Sequence, residues 1–225
     1  VDSKLIKETE KNNIKVYKGY TVVNTSGYKR INKISIMQLS KDGQKVVGSK
    51  TAIACDCLGI SGGWTPAVHL FTQSGGKLKF RDEDQVFIPN IYPSDQISLG
   101  SCNGDFTLDE ILTNIPKALK EFLDIKKTDY ENLEVQSSFN KSKRNIWLLP
   151  SDKVIGRTKP FVDYQNDATA KDIKLALREG FRSIEHVKRY TTTGMGTDQG
   201  KLGNMHALGI ISETAGSKMG ELGTT

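Results

Sequence analysis

The sequence contains few cysteines, no long apolar run and no initial methionine. Three cysteines in 225 residues do not form a dense, even disulfide framework, which favours a reducing, cytoplasmic environment. No apolar stretch reaches the roughly 18 residues that suggest a membrane span. The opening stretch VDSKLIKETEKNN is helix-like and lacks the apolar core of a signal peptide. Because the chain begins with Val1, we expect it to be a fragment of a longer protein.

Charge is not concentrated in the sequence either. Lysine and arginine number 32 against 26 acidic residues, which gives a net charge of +6. The densest basic runs lack interleaved aromatics, so they indicate a solvated linker rather than a nucleic-acid interface; they contain Lys126, Lys127, Lys141, Lys143 and Arg144. Cys55 and Cys57 form a single CxC pair without further ligands, so we expect no metal site there.

The first part of the chain predicts short strands separated by turns. The segments IKVYKGYTVVNTSG and INKISIMQLS are rich in β-formers, and the turn KDGQ predicts a hairpin into KVVGSKTAIAC. The apolar run TAIACDCLGI is typical of a buried strand at the middle of a parallel sheet. These patterns predict an α/β domain that carries a small antiparallel patch.

Further signals in this part place helices and possible ligand contacts. Thr65 can cap a short helix that contains His69, which we expect to be packed and hydrogen-bonded rather than a catalytic base. The segments KLKF, VFIP and QISLG read as strands. Asp105 or Thr107 can cap the amphipathic helix that follows. A strand, a glycine turn and a helix start form the kind of edge where α/β proteins bind ligands.

The remaining chain divides into a connector and a helical part. Residues 126–160 are polar, lysine-rich and without periodicity except for NIWLLP. Residues 161–225 predict helices, with Asp167 or Thr169 as one cap and Ser183 as the next. We therefore predict a dinucleotide-domain part over 1–125, a connector over 126–160 and a small all-α domain over 161–225.

The segment EHVKRYTTTGMGTDQGK combines hydroxyls, glycines and cations. Glycine backbone, threonine hydroxyls and neighbouring cations suit a phosphate group. A helix C-terminus with its usual cations, followed by an ordinary loop, explains the same residues. The segment is not a P-loop, because no Ser or Thr follows Lys201.

Two long motifs resemble one known family. CDCLGISGGWTPAVHLFTQSGGKLKF is similar to the dinucleotide-binding domain of the α subunit of heterotetrameric sarcosine oxidase. FVDYQNDATAKDIKLALREGFRSIEHVKRYTTTGMGTDQGK looks like the helical domain that follows it in that subunit. The resemblance implies a partial Rossmann-like domain of the disulfide-reductase type, followed by helices. The resemblance covers nearly all of the chain. The GxGxxG motif that follows the first strand of such a domain is not in this sequence.

The resemblance also implies an activity and a set of cofactors. The family oxidises sarcosine to glycine with formation of hydrogen peroxide, in a complex of α, β, γ and δ subunits. The α subunit binds NAD, FMN lies between α and β, and FAD, tetrahydrofolate and zinc are held elsewhere in the complex. Related opine oxidase and cyanide synthase subunits carry an iron–sulfur cluster in the matching helical domain. No cysteine follows Cys102 here, so we expect no such cluster.

Carried over to this sequence, the family's NAD contacts fall on the segment GSCNGDFTL. They correspond to Ser101, Phe106 and Leu108, with Cys102 beside them. Gly62 and Gly63 either allow close approach of a ligand or only shape a turn. The FMN phosphate is expected against four residues of the second motif, namely Lys188, Arg189, Thr192 and Thr193.

No set of nucleophile, base and orienting group is visible in the sequence. We therefore expect a cofactor-binding, non-catalytic segment that is inactive alone, with no nucleic-acid or membrane partner. The alternative is a structural or docking subunit of a related amine or proline dehydrogenase or oxidase, with a vestigial nucleotide site.

Overall fold

The computed structural model describes residues 4–93, 95–124, 135, 145–153 and 155–222. Helices and small antiparallel sheets form a mixed α/β arrangement, as the sequence patterns predict. The basic runs around Lys126 and Lys141 lie outside the described residues. Among those that are described, no helix is both long and apolar enough to cross a membrane.

The described residues divide by their contacts into two compact units. The first consists of those within Val1–Ser61, Leu148–Phe161 and Thr169–Lys171. The second consists of those within Gly62–Trp147, Val162–Ala168 and Asp172–Thr225. Both units therefore combine stretches that are distant along the chain. The predicted boundaries at residues 125 and 160 stay a prediction.

The first unit is built on a three-stranded antiparallel sheet. The helix α1 (Lys4–Lys11) precedes β1 (Tyr20–Gly27), β2 (Ile31–Leu39) and β3 (Val46–Ala54). The sheet order is β1-β2-β3, and the predicted hairpin turn joins β2 to β3, with Leu39 opposite Val46. The side chains of β2 supply much of its buried core, including Ile34, Ile36 and Met37.

The prediction that TAIACDCLGI is a buried parallel strand is wrong. Its first residues end β3, which pairs antiparallel with β2 and is largely exposed. The strand ends at Ala54, before Cys55 and Cys57. Short apolar runs do not distinguish a central strand from an edge strand, because only the neighbouring strands decide burial.

The second unit begins with a short helix and a hairpin. It contains α2 (His69–Gln73), β4 (Lys77–Arg81), β5 (Val86–Ile91) and α3 (Leu108–Phe122). The strands KLKF and VFIP are confirmed, and they pair antiparallel. QISLG is not a strand, since a 3-10 turn over Gly100–Asn103 follows extended chain there. The helix α2 starts three residues later than a Thr65 cap predicts, with Val68 at its N-cap.

The rest of the described chain is mostly helical. Two short strands, β6 (Phe161–Asp163) and β7 (Ala168–Thr169), precede the helices α4 (Ala170–Arg178), α5 (Ile184–Thr191), α6 (Asn204–Ala215) and α7 (Met219–Leu222). The sequence patterns missed β6 and β7. Ser183 is the N-cap of α5, as predicted. Branched aliphatic side chains of α4, α5 and α6 are fully buried in the second unit, among them Ile173, Val187, Ile210 and Ile211.

Trp147 packs against the helix α6. Its indole ring lies against the backbone of Gly209 in the middle of α6 and forms an edge contact with His206, at 6.1 Å between ring centroids. A side chain at position 209 would occupy the volume of that ring. The glycine therefore gives the indole direct access to the helix backbone.

Candidate functional site

The predicted NAD segment forms the turn that leads into α3. Thr107 is the N-cap, and its hydroxyl accepts a hydrogen bond from the Glu110 amide at 3.4 Å. The Glu110 carboxylate in turn accepts from the amides of Phe106 and Thr107, both at 3.2 Å. This capping box confirms the predicted helix start.

The capping box determines what this helix start can bind. A pyrophosphate at a helix N-terminus uses the amide donors of the first turn and the preceding residues. Here the Glu110 carboxylate already occupies the Phe106 and Thr107 amides. A second anion at the same donors would meet like charge, which costs free energy. Those two amides therefore do not fit a pyrophosphate.

Arg81 on β4 forms a hydrogen bond to the backbone of this turn. Its guanidinium donates to the Gly104 carbonyl at 2.7 Å, and its Nε donates to Asp84 at 2.8 Å. The hydrogen bond with Asp84 raises the pKa of Arg81 further above its ordinary value. The buried Asp105 carboxylate accepts a hydrogen bond from the side-chain amide of Asn114 at 3.0 Å, which connects the turn to α3. These contacts connect the turn to β4 and to α3.

The individual predicted NAD contacts differ in accessibility. Ser101 and Leu108 are exposed on the turn, whereas Phe106 is half-buried. Cys102 is also half-buried, and its thiol donates to the Leu99 carbonyl at 2.9 Å. The accessible groups are therefore one hydroxyl and one apolar side chain.

Gly62 and Gly63 belong to the exposed segment before α2. A Cβ added at either position would have no neighbour within 4 Å among the described residues. Packing of the chain itself thus gives no reason for glycine at position 62. At position 63 the backbone has φ of +128°, a conformation that favours glycine.

The threonine–glycine loop, residues 192–203, joins α5 to α6. The Thr191 hydroxyl donates to the Val187 carbonyl at 2.8 Å and lies 2.7 Å from the Thr193 hydroxyl. Thr193 is 0% exposed. The Thr192 hydroxyl donates to the Thr191 carbonyl at 2.6 Å. These hydroxyls are used within the chain, and the buried Thr193 side chain cannot reach a bound phosphate in this conformation.

An anion does bind the threonine–glycine loop, and it is the chain's own Asp163. The Asp163 carboxylate accepts from the Gly194 amide at 2.7 Å. It also accepts from the amides of Gln165 and Asn166, at 2.8 and 3.0 Å, and from the Asn166 side chain at 3.1 Å. Burial by itself raises the pKa of Asp163, but these hydrogen bonds outweigh it, so the pKa lies below its ordinary value.

Two glycines of this loop are required by both backbone conformation and space. Gly194 and Gly200 both have φ of +74°, in the left-handed region. A Cβ at either position would overlap the Asn204 side chain. Gln165 closes the other side of the loop, where its side-chain oxygen accepts from the Thr197 amide and hydroxyl at 2.5 and 2.8 Å. The glycines thus serve the loop's own packing.

The two predicted phosphate cations lie in the last turn of α5. Lys188 is half-buried and Arg189 is exposed, with its guanidinium 3.9 Å from Glu185 one turn earlier. Cations in a last turn complement the negative end of the helix dipole. An exposed ion pair of this kind contributes little to stability, so the Arg189 guanidinium can turn toward a ligand at small cost.

A cavity that the sequence did not predict lies within the second unit. Its volume is about 90 Å³. The polar side of its wall is formed by Thr65, His69, Lys201 and Asn204, and the apolar side includes Leu78, Phe87, Ile184 and Leu208. His69 is exposed at the start of α2 rather than packed as predicted. The lining residues come from five elements and two loops, so sequence spacing gives no signal for the cavity.

Among the described residues, no group of three or more His, Cys, Asp or Glu side chains is arranged to hold a metal ion. Cys55 is half-buried and Cys57 is exposed, and both are free thiols.

Comparison with known proteins identifies the relatives of this chain. Residues 157–225 match the family model of the sarcosine oxidase A3 domain. The chain is 33% identical over 216 residues to sarcosine oxidase subunit alpha of Rhizobium meliloti (strain 1021), covering 91% of the chain and 20% of the relative. It is 29% identical over 223 residues to sarcosine oxidase subunit alpha of Corynebacterium sp. (strain P-1), covering 94% of the chain and 22% of the relative.

A solved structure shares the fold. The crystal structure of L-proline dehydrogenase from P. horikoshii superposes with a TM-score of 0.57 at 20% identity, over 98% of this chain and 44% of that one. At this identity the likeness concerns the fold alone. The chain spans about one fifth of the length of the curated relatives it matches.

These matches confirm the resemblance that the sequence motifs indicate. The chain belongs to the family of sarcosine oxidase α subunits and corresponds to a segment of such a subunit.

Proposed function

We propose that this chain is a cofactor-binding, non-catalytic segment of a sarcosine oxidase α subunit. The observation that carries the proposal is the similarity to such subunits over nine tenths of the chain. The whole complex would oxidise sarcosine to glycine with release of hydrogen peroxide, together with β, γ and δ subunits. NAD and FMN are redox cofactors that supply hydride and electron transfer themselves. FAD, tetrahydrofolate and zinc would be bound outside this segment.

The NAD part of the proposal concerns the exposed face of the Arg81-supported turn. Ser101 can donate its hydroxyl to a polar group of the nucleotide, and Leu108 can pack against a ring. The phosphates would lie away from Glu110, whose carboxylate occupies the nearest amides. Gly62 and Gly63 leave open space where a ligand could approach the chain.

Leu108→Glu in the full-length α subunit tests the NAD contact. Leu108 is 56% exposed at the start of α3, so the substitution should leave the fold intact. An acid at a helix N-terminus stabilises the helix by about 0.3–1 kcal/mol, whereas it should repel the NAD phosphates. We expect NAD to raise the melting temperature of the wild-type subunit and to do so much less in the variant.

Leu123→Glu provides the matched control, because Leu123 is also 56% exposed but lies at the other end of α3. In this control variant NAD should raise the melting temperature as much as in the wild type. If NAD stabilises neither the wild type nor the control, the nucleotide site is vestigial. The structural or docking role in a related amine or proline dehydrogenase or oxidase is then the better description.

The FMN part of the proposal concerns the last turn of α5. Lys188 and Arg189 would hold the FMN phosphate as part of one wall of an interface with the β subunit. The threonines contribute indirectly, because the hydroxyls of Thr192 and Thr193 hold the threonine–glycine loop in place.

The double variant Lys188→Ala/Arg189→Ala in the whole complex should lose FMN. Each charged contact to a phosphate is worth about 1.5–3 kcal/mol, so FMN content should fall at least severalfold, and sarcosine turnover with it. The measurement is FMN released on denaturation per mole of complex, beside FAD as an internal standard. The control Lys171→Ala/Arg178→Ala removes the same charge from α4 and should retain FMN. Equal FMN in both variants would contradict the assignment.

A further inference from the structure

The 90 Å³ cavity of the second unit has a chemistry that the proposed cofactor sites do not use. Its lining contains Lys201 as a cation and no aspartate or glutamate. The acid of the same loop, Asp198, does not line it; its carboxylate accepts from the amides of Gly200 and Leu202, both at 3.4 Å. The cavity therefore favours a negatively charged group over an ammonium.

The size and the apolar wall restrict the ligand further. A water molecule occupies roughly 30 Å³ in the liquid, so the cavity holds about three waters or one small organic molecule. Phe87 and Leu208 are buried side chains on the wall, and they suit a short hydrocarbon part. The first turn of α6 also belongs to the wall, through Asn204 and Met205. The positive end of the helix dipole therefore favours an anion in the cavity, as Lys201 does.

We propose that this cavity binds a short-chain monocarboxylate of about the size of acetate or propionate. The carboxylate lies toward Lys201 and His69, and the hydrocarbon part lies against Phe87 and Leu208. An α-amino acid of the same length is disfavoured, because its ammonium group would lie in the cavity without a carboxylate among the lining residues. The site is distinct from the residues proposed to contact NAD and FMN.

The experiment is a titration of full-length α subunit with ¹³C-labelled propionate, followed by NMR line broadening and chemical shift. Propionamide is the uncharged isostere, and alanine is propionate with an added ammonium group. We expect saturable propionate binding, with both analogues at least about fivefold weaker, because propionamide lacks the negative charge and alanine brings an ammonium group without a partner. Chloride at equal ionic strength should not displace propionate.

Lys201→Gln removes the charge from an exposed position and should weaken propionate binding by about five- to tenfold. Lys218→Gln, on the exposed link between α6 and α7, is the control and should bind propionate like the wild type. Absence of saturable binding, equal binding by Lys201→Gln, or equal binding of alanine would each overturn the proposal. None of these results depends on whether the subunit binds NAD or FMN, so failure here is separable from failure of the proposed function.

Discussion

Asp163→Ala should cost about 4 kcal/mol in local stability, divided between the turn over residues 163–166 and the threonine–glycine loop. The carboxylate accepts four hydrogen bonds, from the amides of Gly194, Gln165 and Asn166 and from the Asn166 side chain. A buried donor that loses its partner costs about 1–3 kcal/mol. Because some of these donors can reach water after the substitution, the total is smaller than the sum.

Hydrogen–deuterium exchange of the full-length α subunit measures this effect locally, which matters because a multidomain chain has no single unfolding free energy. Peptides that cover residues 163–166 and 191–200 should exchange faster in Asp163→Ala, by up to several hundredfold, while peptides from the β1-β2-β3 sheet should be unchanged. Glu179→Ala removes an exposed carboxylate from the same unit and should leave exchange as in the wild type. Unchanged protection in Asp163→Ala would show that the carboxylate is not the centre of the loop.

The same carboxylate gives the loop a defined pH dependence. The pKa of Asp163 is lowered in the folded chain, so its contribution to stability is complete above the unfolded value of about 3.9. It is lost as the pH falls below that value and through the folded pKa. The loop should therefore lose protection from hydrogen–deuterium exchange in acid below about pH 4. The variant Asp163→Asn should be less protected than the wild type at neutral pH and should lack this acid-dependent loss.

Gly209→Ala should destabilise α6, although alanine is the better helix former. The added Cβ would overlap the indole ring of Trp147, and its distance to Cδ1 would be 2.7 Å. Overpacking of this kind costs about 1–3 kcal/mol, which exceeds the gain of about 1 kcal/mol from helix propensity. Gly209→Leu should cost more, because the larger side chain would displace the indole completely.

A double-mutant cycle identifies the cause of this loss. Trp147→Ala removes the ring, so Gly209→Ala in that background should become neutral or stabilising. Exchange rates of peptides from α6 give the four free energies of the cycle. If Gly209→Ala is equally destabilising with and without the indole, the ring is not what requires the glycine.

The local signals in the sequence predicted several elements correctly. The KDGQ turn gave the β2–β3 hairpin, Thr107 gave the start of α3, and Ser183 gave the start of α5. The KDGQ turn and the Thr107 capping box depend on residues within a few positions of one another, so their physical cause is contained in the segment itself. Ser183 lies at the N-cap position without a side-chain capping hydrogen bond. The family resemblance depends on long motifs, and the comparison with known proteins confirmed it.

The errors concern segments whose environment is distant in sequence. TAIACDCLGI is apolar enough for a central strand, but β3 has only β2 as its partner among the described strands of its sheet. QISLG has strand propensity but continues into the 3-10 turn that Arg81 holds through Gly104. Propensity is a weak prior, and tertiary contacts override it.

The threonine–glycine loop shows which properties the sequence determines and which the tertiary structure determines. Its sequence by itself predicted glycines, hydroxyls and cations that suit either a phosphate or an ordinary loop after a helix end. Only the tertiary structure brought an internal anion to the Gly194 amide, since Asp163 is 31 positions away along the chain. The cavity beside Lys201 has the same character: residue types fix its charge, whereas the packing of separate elements creates its volume.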